Sequence, residues 1–148
     1  MSSVLAFMEN NGSDHKKRKL LDIIKEDDHF WEREHDFIQW LFPLDEKSMA
    51  VPKSPVLRAP EIQDIKDSQI AQEALQKATK RFKQFLHNSF DWRYYNDHNH
   101  LRITRVIKSL RLTVSDASAT NFKRWIYDEL DEDLERISHK TRSFWQDA

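Results

Sequence analysis

Apolar residues recur along most of this chain at intervals of three and four, the period of an α-helix with one buried face. The clearest run is Ile70, Ala74, Leu75, Ala78, Phe82, Phe85 and Leu86, which predicts a long helix capped by Asp67 or Ser68. Phe30, Phe37, Ile38 and Leu41, widened by Trp31, Trp40 and Phe42, predict a deeply packed helix opened by Asp27 or Asp28. Pro43 closes it, because proline has no amide hydrogen with which to continue the ladder. Leu101, Ile103, Val106, Ile107 and Leu110 predict another helix, entered around Asp97 and Asn99 and ending near Leu112 to Val114. Ser115 or Ser118 starts the next, with Phe122, Trp125, Ile126, Leu130, Leu134 and Ile137 on its face. A short last helix from Ser138 turns Thr141, Phe144, Trp145 and Ala148 to one side.

The N-terminal quarter is less regular. Leu20, Leu21, Ile23 and Ile24 make a short apolar face behind the basic run His15 to Lys19, which predicts a lead-in helix within residues 14–25. The apolar run Val4 to Met8 is too short for a signal-peptide core and has no basic segment before it, so it reads as a tail or docking segment. The chain has one glycine, and its four prolines, at 43, 52, 55 and 60, fall in one zone. Hairpin turns would need glycines that are missing, so residues 45–60 read as an extended surface connector, with one short helical turn over Glu61 to Ile65. The resulting expectation is an all-α, single-domain bundle of about five to seven helices. Residues 1–27 would be a tail and basic lead-in helix, and 28–148 the domain.

Composition sharpens this picture. Five Trp, nine Phe and three Tyr in 148 residues supply a core that a disordered chain would rarely carry. Charged residues make up 33% at a net charge of -1, so both signs are interspersed over a hydrated surface, and neither a nucleic acid nor a membrane surface is the expected partner. The absence of cysteine excludes disulfides, thiolate metal sites and cysteine nucleophiles, and is compatible with a reducing compartment. No apolar run approaches the roughly 20 residues of a membrane helix, so the expected location is the cytoplasm.

Two motifs carry a family resemblance. His35-Asp36-Phe37-Ile38-Gln39-Trp40-Leu41-Phe42-Pro43-Leu44 resembles the segment that opens the conserved region of the opioid growth factor receptor family. Asn99-His100-Leu101-Arg102-Ile103-Thr104-Arg105-Val106-Ile107-Lys108-Ser109-Leu110 is similar to that family's Asn-rich entry into an Arg-Ile-Thr-Arg helix. Weaker likeness runs through Ala59 to Ile62 and Thr141 to Ala148, so the resemblance spans residues 28–148 and leaves the first 27 outside. The chain departs from the pattern at Leu112-Thr113-Val114, where the family often has glycine. The resemblance, to a short member of the bacterial type, implies a helical domain in a family named for binding a short opioid peptide. It also implies nuclear or membrane-associated locations in animals, and it brings no catalytic residues.

Three groups of residues invite chemistry. Gln39 and Trp40, joined by His35 one turn earlier, would set an amide and an imidazole beside an aromatic ring, the lining of a peptide pocket. The competing reading makes Trp40 core and has Gln39 bond a neighbouring loop or face solvent. Arg102, Arg105 and Lys108 lie three apart, so they drift around one helix as a basic stripe, with Arg102 near the end whose amides favour anions. Such a stripe binds a carboxylate or phosphate on a partner, or its arginines pair with carboxylates of the chain itself, such as Glu34 or Asp36. His98 and His100, with His87, Asp91 and Asp97 nearby, suggest a metal cluster, but His98 and His100 point apart on a helix, and a capping role for Asp97 or Asn99 explains them better, while His98 and Asn99 stay candidates for partner contact.

The acidic block Asp128 to Glu135 reads most simply as the wet face of its helix, with a surface for a basic partner as the alternative. Lys16-Lys17-Arg18-Lys19 reads as a solvated run ahead of a short nuclear-import signal or phosphate-binding patch. No metal and no cofactor is expected, since glycine-rich phosphate loops are absent too. The sequence is therefore read as a non-enzymatic module that binds a peptide or protein. Nucleic-acid or phosphate binding through the Arg102/Arg105/Lys108 stripe, and an enzyme using His35 or the histidines around Asn99, are the alternatives.

Overall fold

Nine α-helices and two 3₁₀ turns carry the regular structure of the described residues in a computed structural model, which describes residues 2–148. No strand occurs among them; Leu44 and Val56 meet in one isolated parallel bridge. The fold is all-α, as the periodicity predicts. The helix number exceeds the expected five to seven because an expected helix breaks in two and the first 27 residues contribute two of their own. The chain divides into two units, Met1–Phe85 and Leu86–Ala148.

In the first unit, α1 (Ser3–Met8) starts where the Ser2 hydroxyl accepts the Leu5 amide. Val4, Phe7 and Met8 are almost fully buried, so the expected tail is part of the core. The chain then doubles back at Gly12, where a Cβ would stand 3.1 Å from the Ala6 Cβ, a close approach that glycine relieves. The basic run does not join a helix, because the Asp14 carboxylate accepts the backbone amides of Lys16 and Arg18, both at 2.9 Å, and holds a turn. Lys17 takes φ 63° there, and α2 begins only at Leu20 (Leu20–Lys25).

Asp27 caps α3 (Asp28–Arg33) by accepting the Phe30 amide. The helix expected to run on to Pro43 breaks at Glu34, whose backbone is extended, and resumes as α4 (Ile38–Leu41). Helical periodicity survives the break because Trp31 and Phe37 both face the core, their rings 4.9 Å apart edge to face. A proline-rich connector leads to α5 (Ala59–Asp67), with Pro60 in the first turn where no amide is missed. The Ser68 hydroxyl accepts the Ala71 amide and opens α6 (Gln69–His87), whose Phe82 and Phe85 are buried near Trp31. Ile70, assigned to that face by spacing alone, is 57% exposed.

The second unit is more regular. After a 3₁₀ turn at Asp91–Arg93, the Asp97 carboxylate accepts the Asn99 amide and starts α7 (His98–Thr113). Ser115 caps α8 (Asp116–Leu130). That helix was expected to continue to Ile137, but Asp131 adopts φ 48° and ψ -116°, which ends the helical backbone, and a 3₁₀ turn over Asp131–Arg136 follows. Ser138 caps α9 (His139–Asp147) where the sequence places the last helix. Ile103, Val106, Ile107, Phe122, Ile126, Ile137 and Trp145 form this unit's buried layer. Leu101 is the exception to the expected face, at 72% exposure in the first turn of α7.

Candidate functional site

The break between α3 and α4 puts Asp36 at the centre of a cationic cluster. Its carboxylate takes Lys16 Nζ at 2.7 Å, Arg18 Nη2 at 3.0 Å and His15 Nε2 at 3.2 Å. Arg18 is itself anchored by the buried Asp14, whose carboxylate receives Nε at 2.7 Å. Burial pushes the Asp36 carboxyl upward, but the Lys16 ammonium and Arg18 guanidinium outweigh it and hold it at about 2. Asp36 therefore remains an anion at every physiological pH.

His15 joins this cluster to the core. Trp40 Nε1 donates to His15 Nδ1 at 3.1 Å, and the two rings stack at 6.2 Å with 19° between their planes. An indole nitrogen can only donate, so Nδ1 must be the unprotonated nitrogen and Nε2–H donates to Asp36. Both ring nitrogens are thus engaged, and the Nδ1 lone pair that a general base would use is directed at the Trp40 indole.

Beside this cluster lies a groove of about 510 Å³, wholly within the first unit. One wall is the turn and helix break, with His15, Lys16, His35 and Asp36. The other is the proline-rich connector, with Val51, Pro52 and Lys53, where Ser54 Oγ donates to the Val51 carbonyl at 2.6 Å and Ser48 Oγ accepts the Val51 amide. Lys53 and Arg33 are exposed on the rim, and Lys53 has no carboxylate partner among the described residues.

Of the residues singled out from sequence, His35 is exposed and lines the groove. Gln39 lies one turn on, its Nε2 donating to the His35 carbonyl at 3.3 Å, while its Oε1 is buried without a hydrogen-bond partner. Trp40 is 6% exposed and stands behind His15, also against Phe7 at 5.5 Å, so it supports the wall from the core side. One turn of helix thus carries an exposed imidazole and a buried indole. His15 and Lys53 were not singled out, since their partnership with the motif is long-range and no local spacing announces it.

The second predicted group lies on α7 in the other unit. Arg102 is 7% exposed and donates to the Asn99 side-chain oxygen at 3.2 Å, with Asn99 also buried. Arg105 is half-buried and Lys108 exposed. Residues three apart advance only 300° around a helix, so the three cations pass from the buried to the open side instead of forming one surface stripe. His98 is exposed, whereas His100 is buried and donates Nε2–H to the Trp92 carbonyl at 2.7 Å. Burial pushes the His100 pKa down despite that bond.

Residues 6–90 match the family described as "Opioid growth factor receptor (OGFr) conserved region", more than half of the 148 residues. The match begins before the expected start at residue 28 and stops short of the Asn99 to Leu110 motif. It contains every residue that lines the groove. No curated protein and no solved structure matches the chain. Among the described residues no helix is long and apolar enough to cross a membrane.

Proposed function

Because the chain belongs to the opioid growth factor receptor conserved-region family, we propose that it is a non-enzymatic recognition module whose first-unit groove binds a short peptide segment of a partner. The observation that carries this reading is the groove itself. At about 510 Å³ it lies within the roughly 300–1,000 Å³ common for ligand sites, and it combines an apolar patch at Val51 and Pro52 with fixed charges. An apolar peptide side chain would rest on Val51 and Pro52, and a peptide carboxylate would meet Lys53 and Arg33. Asp36 would stay with Lys16, Arg18 and His15, fixing the shape of the wall. Recognition without catalysis fits His15, which Asp36 orients, because its Nδ1 lone pair is already given to Trp40.

Calorimetric titration with enkephalin, a short opioid peptide, tests the proposal. Saturable binding is expected, weakened about tenfold or more by Lys53→Glu, which places a negative charge where the peptide carboxylate would sit. Absence of saturable binding to the wild-type chain, or equal affinity in Lys53→Glu, contradicts it. The alternative of phosphate or nucleic-acid binding through Arg102, Arg105 and Lys108 gains nothing from the burial of Arg102.

A further inference from the structure

The second unit, beyond the end of the family match, holds a pocket of about 240 Å³ lined by Tyr127, Leu134, His139, Arg142, Ser143 and Gln146. Four of these six sit on α9 at positions i, i+3, i+4 and i+7, the spacing that places side chains on one helical face. This face is distinct from that of Trp145, which is fully buried and donates Nε1–H to the His100 carbonyl at 3.2 Å. Tyr127 comes from α8 and Leu134 from the 3₁₀ turn that follows it.

The lining is rich in donors and contains no carboxylate. Guanidinium, imidazole, phenol, hydroxyl and carboxamide groups all offer hydrogen, although the neighbouring segment Asp128 to Glu135 is heavily acidic. Arg142 makes no ion pair among the described residues, and its Nε is buried with no hydrogen-bond partner. A buried guanidinium N–H left unmade is costly, so natural proteins usually satisfy it with a protein group, water or ligand. Burial raises the Tyr127 pKa, which keeps the phenol protonated as a donor.

We propose that this pocket is a binding site for a small oxyanion, in which Arg142 supplies the charge and Ser143, His139 and Tyr127 supply further donors. At about 240 Å³ the pocket has room for a phosphate or a small carboxylic acid. The site lies outside the peptide groove, so either proposal can fail without the other.

The test is calorimetry on the full chain at constant ionic strength, with inorganic phosphate and acetate titrated separately. Saturable binding of at least one is expected, and which one binds assigns the oxyanion. Arg142→Gln should weaken it about tenfold or more and Ser143→Ala by less. Lys140→Gln, which alters an exposed cation on the same helix, should leave it unchanged. Failure of both anions to saturate overturns the proposal, as does equal affinity in Arg142→Gln or an equal loss in Lys140→Gln. Should Arg142→Gln not fold, the Arg142 Nε–H resonance of the wild-type chain decides, since it must shift on titration.

Discussion

The two units solve the problem of a polar interior differently. In the first, short helices with a broken connection are tied by ionised groups: Asp14 and Asp36 each hold Arg18, and Asp36 also holds Lys16 and His15. In the second, Arg93 is likewise tied to Glu129 at 2.8 Å and the buried Arg102 to the Asn99 side chain, but those charges lie beside long unbroken helices that also bury neutral groups bonded to nearby backbone. Thr113 Oγ1 donates to the Ser109 carbonyl at 2.7 Å, and His100 and Trp145 each donate to a carbonyl. Regular helices satisfy their own amides, so in the second unit the charged pairs are not needed to close a break in the backbone. A chain that breaks at Glu34 to Phe37 exposes backbone groups and needs a strong local anchor, and that anchor also shapes the groove.

The comparison breaks most visibly if one buried indole is removed from each unit. Trp31→Ala takes a ring from between Phe37, Phe82 and Phe85, along with the Nε1–H bond to the Ile23 carbonyl, and is expected to cost about 3–5 kcal/mol in urea unfolding. Hydrogen exchange should show the lost protection mainly within residues 2–85. Trp145→Ala should cost a similar amount with the loss mainly within 86–148, and an identical pattern from both variants would erase the distinction.

Acid sharpens the contrast, because the two units lose stability in different pH windows. The folded-state pKa of Asp36 is depressed from 3.8 to about 2, so its contribution of about 2 kcal/mol is present above pH 3.8 and is lost as pH falls through about 2. Asp36→Asn should remove that contribution at neutral pH and flatten the acid limb of a pH–stability curve. The His100 pKa is lowered from 6.5 by burial, so the unfolded chain takes the proton first. Its stabilisation is present above pH 6.5 and is lost as pH falls toward the folded value. Amide protection in residues 86–148 should therefore decline at a higher pH than the Asp36-dependent part of the first unit.

The smallest effect is at the helix starts. Asp27→Ala in the first unit and Ser115→Ala in the second each remove an acceptor from a first-turn amide, and each should cost about 1 kcal/mol in thermal unfolding. Equal costs would show that capping is common to both units and that their difference lies in the interior.

The long helices α6 and α7 were legible because 3.6-residue periodicity extends over many turns, and the caps at Asp27, Ser68, Asp97, Ser115 and Ser138 carry side chains that compete for free amides. The break at Glu34 was not legible, since Trp31, Phe37 and Trp40 reach the core from either side of it. The acidic run at Asp131 hid a second break, because carboxylates suit both a wet helical face and a first turn. His35 was singled out by its helical spacing, one turn before Gln39. His15, 21 residues before Asp36, was not, because the bond that recruits it depends on the tertiary fold. On α9 the apolar positions drew attention away from the polar face His139, Arg142, Ser143 and Gln146, although its spacing was equally readable.

Chemical-shift mapping of the isotope-labelled chain during an enkephalin titration tests the groove most directly. The expected result is saturable perturbation of Lys16, His35 and Lys53, with residues 86–148 unmoved. Perturbation confined to the second unit, or none at all, would contradict the assignment of recognition to the wall that Asp36 holds in place.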